Sequence, residues 1–403
     1  MRTGTRVAII GGSLAGLITA RLLTHHGFEV AVYERVPDSL SGRGAGIGTH
    51  PEMFDVLREA GISDASDVGV PVELRRMFGL DGAVTHELGY PQVLAHWDEI
   101  YRLLRSGLDE AAYRSGLQMV GFSQDADGVK IEFNDGSAAG ADVLVGADGI
   151  RSTTRGLLFP QIQPAYVGYV AWRGVVPEER LPQQVRDQMF EHFCFGLPKG
   201  EQIAGYPIRR AGGVGRDYNI IWYRPADAEE LADLLTDDNG VRHENNIPPP
   251  LIAERHRQKV QDDAARVLPP QFAEAVALAD GMFVQPIYDV ETEAMSVGRV
   301  ALVGDAAFVA RPHVGAGVTK GFGDAMALCN ALLGQDSVSV ALETYNRERM
   351  PIGRKIVARA RQLGAYMQAS RGTPEEEEAA ERHRDPEAVI RETASMHFMQ
   401  QQS

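Results

Sequence analysis

Cysteine is nearly absent from this chain of 403 residues. Cys194 and Cys329 stand far apart with no C-x-x-C pair, which excludes a disulfide framework, a redox dithiol and a zinc knuckle. An excess of positive charge is absent too. Forty Lys and Arg against 55 Asp and Glu give a formal charge of −15, the wrong sign for following a nucleic acid backbone or an anionic membrane. No window reaches the roughly 18 uninterrupted apolar residues of a membrane span. The apolar N-terminal stretch is broken by Gly11, Gly12 and Ser13 and is followed by no small-residue cleavage pattern, so no export signal is expected. The eleven histidines show no ligand spacing, so no metal site is expected, and no side chain stands out as a nucleophile. No internal repeat is found. These absences point to a reducing, cytoplasmic setting.

What remains is an ordinary globular composition, 44% hydrophobic and 24% charged, at a length that favours two or three cores. Arg6 to Ile10 reads as a short buried strand. "GGSLAG" then turns into a helix with Leu14, Leu17, Ile18 and Leu22 at helical spacing, Gly27 ends it, and "FEVAVYE" is a second strand closing on Glu34. Residues 6 to 34 thus form one βαβ unit. Gly11 and Gly16 occupy the first and third positions of the dinucleotide fingerprint and Ser13 the middle one. Gly11 permits the tight turn, Gly16 permits close packing of helix and strand, and the helix start offers free amides to a pyrophosphate. Glu34 is placed to accept hydrogen bonds from a ribose diol. By itself such a unit holds either NAD or FAD.

Further along, Asp127-Gly128 and Asp135-Gly136 mark hairpin turns of a small meander between 118 and 141. "DVLVGADG" returns to the character of a parallel strand buried on both faces. From 161 to 225 four runs rich in Tyr, Trp, Phe and Val predict a larger antiparallel sheet. Leu251 to Ala279 reads as helical with a break at Pro269-Pro270. Val318, Phe322, Ala325, Met326, Cys329 and Leu333 form one stripe of a later helix. The expected class is α/β with an α+β substrate layer. A discontinuous Rossmann-like unit (1–75, 95–160, 285–335) is joined to an antiparallel sheet unit (76–94, 161–284), a helical segment (336–370) and a solvated or loosely helical acidic tail (371–403).

Two distant motifs decide between the cofactors. "GADGIRSTTR" carries Asp148, Gly149, Ser152 and Arg155, and "VGDAAFVARPHVGAG" carries Gly304, Asp305, Pro312, Gly315, Ala316 and Gly317. With the N-terminal fingerprint, this triple resembles the FAD-dependent aromatic hydroxylases, the single-component flavoprotein monooxygenases. Segments such as "GGSLAGL", "YERVPDSLSGRGAGI", "VGYVAWRGVV", "GYPI" and "NIIWY" resemble the 2,6-dihydroxypyridine 3-hydroxylase type most. The resemblance covers about residues 5 to 370. It implies FAD held by Gly11, Gly12, Ser13, Ala15, Gly16, Glu34, Arg35, Arg43, Asp148 and Arg155. It also implies that Asp305 meets the ribityl chain and that the loop Pro312 to Gly317 brings backbone amides to the flavin. Phe308 stands where relatives often have histidine, and Trp97 where many have a flavin-contacting arginine.

The reaction implied is hydroxylation of an electron-rich pyridinol or phenol with NAD(P)H and O2, through a flavin C4a-hydroperoxide inside a dry chamber. NADH and NADPH are not distinguished. A base for the ring hydroxyl is expected, with His313 first and His50 second. Tyr206, Trp222 and Tyr223 are candidate chamber walls, although Trp222 and Tyr223 point to opposite faces of their strand, as do Trp172 and Arg173. A homo-oligomer is implied by resemblance alone. A flavin halogenase and a non-catalytic flavin-binding sensor or scaffold are the alternatives. The W-x-W-x-I-P segment expected of the halogenase is missing.

Overall fold

The computed structural model describes residues 4–41, 46–62, 68–212 and 214–400. The strands Arg6–Ile10 and Glu29–Glu34 flank the helix Leu14–His25 and pair in parallel, as the apolar pattern predicts. They lie in a six-stranded sheet of order 296–297, 300–302, 143–146, 6–10, 29–34, 113–115, in which only the first strand runs antiparallel to its neighbour. Val7, Ile9, Val143 and Val145 face the helices Leu14–His25 and Gly317–Gly334 in one core. Ala8, Ile10 and Leu144 face the meander 119–141, whose Ile131 and Phe133 close the opposite side. That double burial is why these strands read as continuous apolar runs.

The second layer is a nine-stranded sheet of order 308–309, 280–291, 165–177, 216–225, 202–209, 192–196, 70–78, 84–96, 46–48. All its pairings are antiparallel except 192–196 with 70–78. It takes more chain than the sequence boundaries allotted. Residues 70–75 and 95–96 belong to a bulged hairpin of this sheet, and 285–291 complete its strand Asp280–Glu291. An apolar run shows that a strand exists; its partner lies far away in sequence, so the run cannot show which sheet takes it. One face of the sheet is covered by the helices Glu254–Val267 and Pro270–Leu278, separated at the expected proline pair. The other face turns toward the dinucleotide-binding layer.

The acidic tail departs from expectation. Thr373 caps a helix Pro374–His383, whose Glu375, Glu376 and Glu377 sit favourably in its first turn. A second helix, Pro386–Glu392, follows. Ala380, Val389, Ile390 and Ala394 are buried against Val72, Tyr206 and Tyr366. Few apolar residues suffice for docking because they share one side. No helix among the described residues is long and apolar enough to cross a membrane.

Candidate active site

The turn after the first strand is built around positions that cannot carry side chains. Gly11 has φ +106°, and a Cβ there would meet the Ala147 carbonyl oxygen at 2.3 Å. A Cβ on Gly16 would lie 1.9 Å from the Gly11 oxygen, and one on Gly12 would strike the Tyr113 hydroxyl at 2.2 Å. Ser13 precedes the helix without capping it through its side chain, and no acidic residue occupies the first turn, so the helix start remains receptive to an anion. Glu34 is buried, its Oε2 accepting from Gly12 N at 2.7 Å and its Oε1 from Val36 N at 2.9 Å. Gly11, Ser13, Glu34, Arg35 and Asp148 open onto a cavity of about 490 Å³. This cradle fits the pyrophosphate and ribose of a dinucleotide.

The second and third motifs meet beside it. Asp148 accepts from Ser152 Oγ at 2.5 Å and from Thr154 N at 2.9 Å, shaping the loop before a short helix. Arg155 is buried and directs its guanidinium at protein carbonyls, Ala306 at 3.0 Å and Ile150 at 2.6 Å. It therefore ties one motif to the other. Gly304 has φ +60°, and a Cβ on it would meet Ala15 Cβ at 2.8 Å, so Ala15 serves close packing. Asp305 is exposed to a cleft walled by protein; the partial loss of water there raises its carboxyl above the usual range, offset by Lys320 and Arg155 and reinforced by Asp324.

Behind that loop lies a buried ionic cluster. Lys320 Nζ donates to Gly304 O at 2.8 Å and to Asp324 Oδ2 at 3.2 Å, while Arg349 Nε donates to Asp324 Oδ1 at 2.8 Å. Gly304 N donates to the same aspartate at 3.0 Å. Burial alone would raise the Asp324 carboxyl; the two cations hold it below its ordinary value. Sequence reasoning passed over this cluster, although Lys320 and Asp324 at i and i+4 were a usable signal.

The second cavity, about 320 Å³, lies between the large sheet and the loop Arg311–Gly317 and shares Ile150, Gln285, Pro286 and Tyr288 with the first. Strand alternation selects its walls. Tyr223, Ile221, Ala204, Tyr206 and Arg173 face it. Trp222 does not: it points to the helix-covered face and donates Nε1 to Glu201 Oε2 at 2.7 Å, so its assignment as a chamber wall is corrected. Trp172 pairs with it on that same face. Asp305, Pro312, Gly315 and Gly317 line the opposite side, and Ala316 is buried below them.

His313 is 1% exposed, with Nε2 2.9 Å from the Tyr169 hydroxyl and Nδ1 without a partner among the described residues. Burial pushes its imidazole down to about 3, aided by Arg311. It lines the chamber as a neutral imidazole held by Tyr169. His50 lies off the chamber, lining a different cavity with Nδ1 3.0 Å from Thr319 Oγ1, and burial pushes it down to about 4. The second choice is corrected on position. Arg43 falls outside the described residues.

A family model described as an FAD binding domain matches residues 4–360. The chain belongs to this FAD-binding family. The flavoprotein is 32% identical over 378 residues to 2,6-dihydroxypyridine 3-monooxygenase of Paenarthrobacter nicotinovorans, covering 91% of this chain and 92% of the relative. It is 29% identical over 374 residues to 3-amino-4-hydroxybenzoate 2-monooxygenase of Streptomyces cremeus, covering 89% and 86%. The solved structure of 2,6-dihydroxypyridine-3-hydroxylase from Arthrobacter nicotinovorans matches with a TM-score of 0.86 at 29% identity, over 93% of this chain and 96% of that one. The flavoprotein is an FAD-dependent monooxygenase that hydroxylates a small aromatic or heteroaromatic ring with NAD(P)H and O2. These relatives all carry monooxygenase or hydroxylase names, and the halogenase and non-catalytic alternatives find no support in them.

Proposed function

We propose that the ring is a hydroxylated pyridine, with a hydroxylated benzene as the nearest variant, and that it binds as an anion with its ring oxygen toward Arg173. One observation carries this reading. Arg173 is a chamber-lining cation whose partners, Gln285 Oε1 at 3.0 Å and Gly46 O at 3.3 Å, are both neutral, and it makes no ion pair among the described residues. Arg311, also at the chamber, is already neutralised by Asp289 at 3.2 Å. A positive charge in a recess of restricted water access lowers the pKa of a ring hydroxyl brought against it. Similarity to a dihydroxypyridine enzyme over nine-tenths of the chain supports the same ring class.

Bound FAD supplies the transfer of electrons from NAD(P)H and the activation of O2. The cradle at Gly11 and Gly16 and the loop around Asp305 would hold it. The chain's own groups hold the ring and keep water out. Burial raises the Tyr206 hydroxyl to about 12 and raises Tyr223 further, so both remain protonated donors. Their rings provide flat walls. His313 stays neutral and fixed by Tyr169, whose own hydroxyl burial raises well above its ordinary value. Deprotonation of the ring is therefore assigned to the field of Arg173, with the proton passing to water as the ring comes against the guanidinium and before that water is displaced.

The test compares wild type with Arg173→Met on 2,6-dihydroxypyridine, following NAD(P)H oxidation and product mass. A charge-assisted hydrogen bond is worth about 1.5–3 kcal/mol, so KM should rise roughly ten- to a hundredfold with FAD content unchanged. An unchanged KM would refute the role of Arg173. Absence of a product heavier by one oxygen across hydroxypyridines would refute the ring class.

A further inference from the structure

Arg75 is fully buried, and among the described residues none of its partners is a carboxylate. Its Nη1 donates to Ile390 O at 3.0 Å and Thr393 O at 2.5 Å, and its Nη2 to Ala394 O at 3.2 Å and Gln92 Oε1 at 2.8 Å. The guanidinium lies 3.7 Å over the Tyr90 ring, and Tyr90 itself donates to Ser395 Oγ at 3.1 Å. Burying a cation without a counter-charge is unfavourable unless dipoles replace its water. Here the carbonyls leaving the C-terminal end of the helix Pro386–Glu392 supply them, the end where a helix carries partial negative charge. The arginine thereby fixes the path of the chain after that helix.

That path ends at the chamber. Ala394 is the one non-glycine residue with positive φ among those described, +50°, a conformation an alanine holds only under constraint from its surroundings. Its N donates to His313 O at 2.7 Å, and a Cβ on Gly315 would meet Ala394 Cβ at 2.7 Å, so the segment lies directly on the flavin-side loop. Thr393 and Ala394 both line the chamber.

We propose that the segment Ile390–Met396 is a wall of the hydroxylation chamber and that Arg75, which faces no substrate, is the positioning residue that holds this wall against the loop of His313. The tail then belongs to the active site. Without its clamp the segment lifts, water enters, and reducing equivalents are diverted from the ring to peroxide. The inference rests on the hydroxylase activity, and for its substrate probe on the proposed ring class.

The experiment uses full-length holoenzyme as wild type, Arg75→Met, Arg75→Lys and the milder Gln92→Leu, which removes one donor to Ala394 O. Two readouts are taken: amide hydrogen exchange of the peptide containing Ala394, which needs no substrate, and the share of NAD(P)H recovered as hydroxylated 2,6-dihydroxypyridine. For Arg75→Met we expect exchange at Ala394 at least tenfold faster, flavin content unchanged, and a severalfold fall in coupling with KM rising more than kcat falls. Arg75→Lys should recover at least half of the coupling, and Gln92→Leu should shift both readouts the same way by less. Wild-type exchange in both Arg75→Met and Gln92→Leu, or faster exchange with unchanged coupling, would overturn the proposal. Should Arg75→Met not fold, Gln92→Leu alone decides on the same two criteria. If wild type converts no hydroxypyridine, the ring class fails and coupling is read on the substrate then found, while exchange still decides the clamp.

Discussion

Gly16→Ala and Gly317→Ala form a matched pair, each adding one methyl to a glycine of the cofactor region. At Gly16 the added carbon would sit 1.9 Å from the Gly11 carbonyl oxygen and 3.1 Å from its carbon. Real Cβ atoms do not approach under 3.0 Å, so turn and helix must part by more than 1 Å, and the obstacle is backbone. Overpacking of this kind costs about 1–3 kcal/mol, and restoring the cradle on binding should weaken FAD roughly 5- to 150-fold. At Gly317 the added carbon meets no protein atom within 4 Å, although the residue lines the chamber beside Asp305. Alanine there should leave the apoprotein as stable or slightly more stable, by up to about 1 kcal/mol for a helical glycine, and any effect should appear only with FAD present. The assay is quenching of FAD fluorescence on titration with apoprotein, paired with thermal unfolding of the apoprotein. A Gly16→Ala protein binding FAD within twofold of wild type would refute the steric argument. An apoprotein destabilised by Gly317→Ala would refute the claim of open space.

Other outcomes are expected from the buried charges and rings. His313 and His50 stay neutral in the folded chain to about 3 and about 4, whereas unfolding lets them protonate near 6.5. The unfolded state therefore binds more protons below that pH, and stability should fall with acidification by about 1.4 kcal/mol per pH unit for each histidine. Melting at pH 7, 6 and 5 checks this, and His313→Gln should flatten the slope. Asp324→Asn strands Lys320 and Arg349 without their counter-charge, a loss of about 3–5 kcal/mol, visible as a lower Tm and faster FAD release from the Gly304 loop. Trp222→Phe should lower stability by roughly 1–3 kcal/mol, because Glu201 loses a donor, yet leave KM and coupling within twofold. A raised KM in that variant would return Trp222 to the chamber.

What could be read from the sequence was local or strictly periodic. The βαβ unit, its glycines and Glu34 fall within 30 residues, so spacing alone fixed their geometry. Alternation along "NIIWYR" showed that Trp222 and Tyr223 part company but not which of them faces the cofactor. That depends on which side the helices 254–278 cover, a long-range fact. His313 sits in a loop where sequence supports both a reactive and a core histidine. Only its depth and its bond to Tyr169, 144 positions earlier, decide the matter. The docking of the tail is hidden for a related reason: its charge dominates its composition, while its docking depends on Arg75, more than 300 residues away.

The chain passes repeatedly between its two sheets. The six-stranded sheet draws on 6–34, 113–115, 143–146 and 296–302, and the nine-stranded sheet on 46–96, 165–225, 280–291 and 308–309. Neither sheet can be excised as one continuous piece of polypeptide. Their strands close only after long loops have been drawn together, an entropically slow route that links completion of one layer to the other. Limited proteolysis should accordingly yield no autonomous fragment that binds FAD, and the two layers should melt as one unit.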